Sequence, residues 1–568
     1  MVGNANAARL TAPSASRVTA TPATRLGAIA ELLWLVLLIL PAAASLPATF
    51  DGSRTDVALV VGPLWLCVAA RVLFPGRGFF LATLPVAALG VAHMGASALR
   101  GVDVLDLALQ WRTYPALEIA AALRPFAPAL AAVVGLLLTL AAVAAQLGPV
   151  RRPGARTRRT AAGATLAAAL LVPAPAWIRL WPVQPVLVAV AALPESPWLA
   201  RRLFPQASID NPRDPLASWN ATRRAGAPAA ETIVLVIGEA VRSDYLAECG
   251  GPSRVRRVAA GALVACDVTA GADATAMSVP LLISRDLPGH AQRVSSDSTF
   301  LHALREAGFE THWYDVQNRQ IAYPDAEHQD FATHIGRDDA LLLPHLATAL
   351  ERPAALKAVV LHANNAHDPY CDRFDPARAP YAVDCARVSG PWDKAGLREA
   401  RLAYADAVDA SVGFLDAVVA ELDRRAEPVF VVYTPDHGEG LMDDARGIAL
   451  HALRQATTWD THVPAVFWAN RAWREAHPSA WSRLASQVAQ PLMHMDIVPT
   501  LLDAAGVRYD EPRGLAVDLL ARAVPPMRQR FVQAKPGRTI PWQTLVDQAR
   551  TAGPLAPDWR TPVPATDE

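Results

Sequence analysis

The chain has 568 residues, 53 Lys and Arg balanced by 53 Asp and Glu, 52% hydrophobic residues and only 19% charged. That is too apolar for an ordinary soluble protein of this length, and the lack of net positive charge argues against a nucleic-acid partner. Nearly all the apolar excess lies before residue 200, which divides the chain into a lipid-facing part and a more polar part.

Five segments of the first part are long and apolar enough to cross a bilayer, which takes about 20 helical residues: roughly 26–46, 57–74, 79–99, 126–147 and 161–178. The first is followed by more spans, so it does not read as a cleaved signal peptide. Arg9, Arg17 and Arg25 precede it, Arg71 and Arg77 flank the second connection, and Arg151, Arg152, Arg156, Arg158 and Arg159 crowd the fourth. The alternate connections hold Arg54 in one and Arg100, Arg112 and Arg124 in the other. The positive-inside bias predicts a cytoplasmic N-terminus, and an odd number of spans then puts everything after about residue 180 outside the cytoplasm. The connection around Trp111, Tyr114 and Glu118 reads as short amphipathic helices at the outer interface. The expected layout is a tail over 1–25, a transmembrane domain over 26–180, an interfacial linker over 181–229, an α/β domain over 230–545 and a tail over 546–568.

Cys67 lies in an apolar run, while Cys249, Cys266, Cys371 and Cys385 lie in the polar half without any CxxC spacing. A zinc ribbon or thioredoxin-like site is therefore not expected. Outside the cytoplasm these four residues suit two disulfides, of which Cys371 with Cys385 is favoured by proximity.

From about residue 230 short apolar runs alternate with helical stretches, the pattern of a largely parallel sheet. Strands are predicted at 232–237, 311–315, 358–363, 429–434 and 463–468. The first four are followed closely by Glu239, Asp315, His367, and the pair Asp436 and His437. Ligands of open α/β sheets gather at the carboxyl ends of the strands. A lone carboxylate there is usually a helix cap, but in "TPDHGEG" (434–440) a hard oxygen and an imidazole nitrogen are adjacent, a donor mixture that suits Zn²⁺ or Mn²⁺. In "AGADATAMSVPLL" (270–282) Thr275 stands among small residues where a helix N-terminus would favour an anion. Metal coordination is a recognised way to activate a weak hydroxyl nucleophile, and Glu239, Asp436 and His437 supply the further ligands.

Taken in order, "IGEAVRSDY", "DATAMSVP", "HANNAHDPY", "TPDHGEGL", "ALHAL" and "HMDIVPTLLDAAGV" resemble the alkaline-phosphatase superfamily, specifically its membrane-bound phosphoethanolamine transferases. The resemblance implies a five-span inner-membrane protein of bacteria with a periplasmic, sulfatase-like catalytic domain. By position it makes Thr275 the residue that becomes phosphorylated, with Glu239, Thr275, Asp436 and His437 around a zinc ion. It puts Asp315, His367 and His451 at substrate-phosphate or second-metal contacts, with Asn318 nearby, and His367 or His451 as the proton donor to the leaving oxygen. The implied reaction moves phosphoethanolamine from phosphatidylethanolamine to lipid A or another envelope glycan. Three departures stand out: Gly271 and Leu281 replace a frequent Cys pair, an Asn-rich run is reduced to "DVQN", and "ECGGPS" replaces a Gly-Tyr step. The rivals are a phosphoglycerol transferase of the lipoteichoic acid synthase or periplasmic glucan type, against which the GExxR pattern leans, and a phosphodiester hydrolase. An arylsulfatase is disfavoured because "SVPLLISR" lacks the required C/S-x-P-x-R pattern. Asp496 reads as structural and His494 as a capping or surface residue.

Overall fold

The computed structural model describes residues 22–40, most of 62–71, 77–100, 127–147, a few positions between 154 and 163, and 218–555 apart from 287, 289–298, 318–325, 332–338, 389–395, 452–455, 511–514 and 536–537. The chain divides into two compact units, with the main division near Pro194.

In the first unit, helices α1 (Pro22–Ile39), α2 (Arg77–Arg100) and α3 (Ala127–Leu147) fall on three of the five expected spans. They bury Trp34, Phe79, Phe80 and Leu137, while Leu32, Leu33, Leu81, Leu136 and Leu138 are more than half exposed. Apolar side chains on the outside of a helical unit suit an apolar surrounding. The Trp34 indole N–H donates to Thr83 at 2.9 Å, and Thr83 to the Phe79 carbonyl at 2.7 Å, so the few polar groups are paired within the helices. Counted over the described residues alone, no helix is long and apolar enough to cross a membrane. The spans expected at 57–74 and 161–178, the outer connection and the linker lie wholly or largely outside the described residues.

The second unit is built on an eight-stranded sheet. Its strands are β1 (Glu231–Gly238), β2 (Leu263–Thr269), β3 (Glu310–Asp315), β4 (His328–Phe331), β5 (Leu356–His362), β6 (Val429–Pro435), β7 (His462–Ala469) and β8 (Leu492–Met493), in the spatial order β8-β2-β7-β6-β1-β5-β3-β4. Pairing is parallel except where β7 runs antiparallel to β2 and β6. Every residue of β1 is buried, as a central strand covered on both faces must be. Its alternation sends Ile233, Leu235 and Ile237 to one core, with α4 (Thr275–Ile283), α5 (Phe300–Glu306) and α8 (Ile497–Ala504). Val234 and Val236 go to the other, with α6 (Leu342–Glu351) and α7 (Leu397–Leu422). The five predicted strands match β1, β3, β5, β6 and β7 to within two residues. A helix over Trp542–Ala552 runs across the boundary expected at 545. Disulfides join Cys249 to Cys266 and Cys371 to Cys385.

Candidate active site

Gly238 closes β1 where a Cβ would lie 2.6 Å from the Tyr433 hydroxyl, so only glycine lets the strand pass β6 at that point. The chain then turns through Ala240, a non-glycine residue at φ +55. That conformation costs on the order of 1–3 kcal/mol and is held on both sides: the Tyr404 hydroxyl donates to the Ala240 carbonyl at 2.5 Å, and the Ala240 N–H donates to Asp436 Oδ1 at 3.1 Å. Glu239 is thereby turned into the crevice above the sheet, fully buried. Asp436 and His437 arrive there from the end of neighbouring β6. Thr275, the first residue of α4, brings its hydroxyl to the positive end of that helix dipole.

The four side chains meet. Thr275 Oγ1 lies 3.2 Å from His437 Nε2 and 3.4 Å from Glu239 Oε2. His437 Nε2 is 3.3 Å from Asp436 Oδ2 and 3.5 Å from Glu239 Oε1. A tetrahedral zinc with bonds of about 2.0–2.1 Å sets its ligand atoms about 3.3 Å apart, so these spacings would suit such an ion. Two further features fit. His437 Nδ1 lies 2.8 Å from the Gly438 carbonyl, which leaves Nε2 to the crevice. Asp436 Oδ2 and Glu239 Oε1 are buried and accept no hydrogen bond among the described residues, an arrangement costly for carboxylates unless a cation is to be bound.

The charges agree. Burial, and then repulsion from Asp436, push the Glu239 carboxyl well above its ordinary range. Burial also opposes ionisation of Asp436, but His437 and the Thr275 hydroxyl hold its pKa below the usual value. Two buried carboxylates crowded in this way require a positive partner.

Around this centre the structure places the other predicted residues. His451 packs on His437 with ring centroids 4.2 Å apart, and its Nδ1 lies 3.2 Å from Glu439 Oε1. Burial pushes Glu439 up to about 8. His367 packs edge-on against His451 at 5.4 Å; burial, then the Arg373 charge, push its pKa well down, and Nδ1 lies 2.5 Å from the Asp368 carbonyl. Asp315 is turned inward: its Oδ2 lies 3.0 Å from His362 Nδ1, and its Oδ1 accepts from the Gln317 N–H at 2.5 Å. Asn318 lies outside the described residues.

Two residues that the sequence did not single out, Gln317 and His362, and one read as capping or at the surface, His494, shape the site. The Gln317 amide donates both to Glu239 Oε2 and to the Ala363 carbonyl, the latter at 2.8 Å, so Asp315 orients Gln317 and Gln317 orients Glu239. His362 is the buried partner of Asp315. His494 is buried behind α4, not capping or at the surface; Gly271 N–H donates to its Nδ1 at 3.3 Å, and its Nε2 lies 3.2 Å from the Thr434 hydroxyl. Asp496 pairs with Arg528 at 2.6 Å and accepts from the Met493 and Val517 N–H groups, a structural role. Gly271 and Leu281, which stand where the resembled family often carries a Cys pair, pack so closely that a Cβ on Gly271 would lie 3.0 Å from the Leu281 Cβ.

Gln317→Ala is expected to weaken zinc binding and slow turnover by about 10–100-fold, the usual effect of removing a group that orients a metal ligand. A zinc titration of the variant checks this, and an affinity equal to wild type would show that Glu239 keeps its place without the amide.

Residues 231–507 match the protein family described as Sulfatase. The match runs from β1 through β8, the whole span of the eight-stranded sheet. Among curated proteins, a putative transferase, YhbX, of Escherichia coli K12 is 26% identical over 253 residues, 42% of this chain and 43% of that protein. Phosphoethanolamine transferase EptA of Helicobacter pylori is 24% identical over 271 residues, 43% of this chain and 49% of that one. The matched region is thus less than half the length of these relatives. Among solved structures, the zinc complex of the periplasmic domain of EptC from Escherichia coli superposes with a TM-score of 0.51 at 19% identity, covering 59% of this chain and 99% of that one. The integral membrane lipooligosaccharide phosphoethanolamine transferase A of Neisseria meningitidis superposes with a TM-score of 0.57 at 18% identity, covering 84% of this chain and 95% of that one. At these identities the structural likeness establishes the fold.

Proposed function

We propose that this sulfatase-family enzyme transfers phosphoethanolamine from phosphatidylethanolamine to lipid A or another envelope glycan, with the first part of the chain in the bacterial inner membrane and the catalytic domain in the periplasm. The observation that carries the reading is the convergence of Glu239, Asp436 and His437 on the Thr275 hydroxyl at a helix N-terminus, the place where a phosphoryl group is stabilised. The similarity to proteins named phosphoethanolamine transferases supports the choice of phosphoethanolamine.

Glu239, Thr275, Asp436 and His437 would hold one zinc ion. Bound there, zinc supplies charge neutralisation and makes the hydroxyl more acidic. Thr275 Oγ1 then forms a bond to the donor phosphorus as the bond from phosphorus to the diacylglycerol oxygen breaks, its electron pair leaving with that oxygen. The threonine proton passes to Glu239 Oε2, which already lies within reach. His451, braced at Nδ1 by Glu439, donates the proton that the leaving oxygen needs. His367, kept neutral by burial, is suited to take the proton of the acceptor hydroxyl as that oxygen bonds to phosphorus and the bond from phosphorus to Thr275 Oγ1 breaks, Oγ1 recovering its proton from Glu239 Oε2. Membrane tethering raises the effective concentration of a donor confined to the bilayer.

The test is intact-protein mass spectrometry of the full chain with zinc, after incubation with phosphatidylethanolamine or phosphatidylglycerol, with Thr275→Ala in parallel. A phosphoethanolamine mass on wild type and none on Thr275→Ala is expected. A phosphoglycerol mass would replace the donor assignment. Diacylglycerol release that depends on Thr275, without transfer to any acceptor, would make the enzyme a hydrolase.

A further inference from the structure

At the β3-β4 edge of the sheet lies a second set of donor side chains that the reaction does not use. β3 and β4 are parallel neighbours, with His312 directly opposite His328. Strand alternation puts Glu310, His312 and Tyr314 on the face covered by α6, opposite to the side chains of Thr311, Trp313 and Asp315. Glu310 Oε1 lies 3.0 Å from His312 Nε2 and 3.7 Å from His328 Nε2. The three donor atoms all fall within 4.8 Å of one another, and the two imidazole rings lie nearly parallel with centroids 4.8 Å apart.

His312 carries the case. Its side chain is completely buried, its Nδ1 is engaged by the Tyr314 hydroxyl at 3.1 Å, and its Nε2 is aimed at Glu310 Oε1, 3.0 Å away, and at His328 without a well-aligned hydrogen bond. A buried ring fixed through one nitrogen, with the other directed at a carboxylate and a second imidazole, is the arrangement in which an outer hydrogen bond orients a metal-binding histidine. We propose that Glu310, His312 and His328 form a zinc site, separate from the catalytic one, that fastens strand β4 to β3 at the edge of the sheet.

Two imidazole nitrogens and one carboxylate oxygen form a donor set that zinc accepts, with water completing the tetrahedron. The observed spacings bracket the roughly 3.3 Å between ligand atoms of such a site. Arg352 also donates to Glu310 Oε1; it is a partly exposed side chain, and exposed pairs contribute little and yield readily. The site has a consequence for the sheet edge. The chain leaving β3 through Gln317, which holds Glu239, re-enters the sheet at His328, so an ion joining His312 and His328 fixes the start of β4 against the middle of β3.

The experiment uses the full-length chain in detergent, stripped with a chelator and dialysed against buffered free zinc, with bound metal counted by mass spectrometry. His328→Ala and Glu310→Gln, both at partly exposed positions, are each expected to bind one zinc fewer per chain than wild type, while Asp436→Asn loses a different equivalent and Asp436→Asn/His328→Ala loses two. Cobalt in place of zinc gives an independent readout, since the absorption of one tetrahedral cobalt should vanish in His328→Ala. Zinc counts for His328→Ala and Glu310→Gln equal to wild type at every free zinc concentration would overturn the proposal, whatever becomes of the transfer reaction.

Discussion

Asp436→Asn is expected to leave the chain folded and to slow the proposed phosphoethanolamine transfer by at least about 10³-fold, the scale of several kcal/mol of lost charge stabilisation at a metal-assisted phosphoryl transfer. The substitution separates the two jobs of this side chain. Oδ1 accepts the N–H groups of Ala240 and His437, at 3.1 and 2.8 Å, and an asparagine oxygen does the same. Oδ2 faces His437 and has no hydrogen-bond donor among the described residues; an amide nitrogen there cannot ligate a cation. The strained turn at Ala240 should therefore survive while the cage is lost. Asp436→Ala, which removes both jobs, should be equally inactive and less stable. Turnover within tenfold of wild type for Asp436→Asn, with zinc still bound at the normal affinity, would remove Asp436 from the ligand set.

The parts of this arrangement that the sequence discloses, and the parts it hides, differ for physical reasons. Strands β1, β5, β6 and β7 are central and buried on both faces, so each appears as an unbroken apolar run. β2, "LVACDVT", is half-buried and interrupted by Asp267, β4 opens on His328 and Gln329, and β8 has two residues; none carries a periodic signal that reasoning from pattern alone detects. Glu239, Asp436 and His437 stand at strand ends, where a charge after an apolar run is conspicuous. Gln317 acts through Glu239 and across β5, a relation between strands that are adjacent in space but distant in sequence. His362 ends "AVVLH" and looks like part of the core until its Asp315 partner is seen. His494 looked peripheral because nothing nearby in sequence reports that Gly271 and Thr434 close over it. Residues that touch the chemistry are legible from their type and place; residues that position them need the sheet order.

The same distinction governs Arg242, the other half of the GExxR pattern. Its side chain is 1% exposed, and all three nitrogens are engaged: Nε and Nη2 reach both Asp244 oxygens at 2.8 and 2.7 Å, and Nη1 reaches both Asp443 oxygens at 2.9 Å and the Glu439 carbonyl at 3.1 Å. One guanidinium thus ties the segment after β1, which carries Glu239, to the segment after β6, which carries His437 and Glu439. A planar fork can do this and a lysine cannot. Arg242→Met keeps most of the volume but leaves Asp443 facing Asp244 with no cation between them, and removing one partner of a buried pair costs about 3–5 kcal/mol. Against a total stability of about 5–15 kcal/mol, that is a large fraction, and in a domain of this size it lowers the melting temperature by on the order of 10 °C. Replacing Asp443 as well, by asparagine, keeps the acceptor for the Leu441 N–H and removes the stranded charge, so the double variant should recover part of the loss; the difference measures the coupling directly. A melting point for Arg242→Met within about 2 °C of wild type would mean that the two segments are held together by their packing, and that the arginine of the pattern serves the substrate instead of the fold.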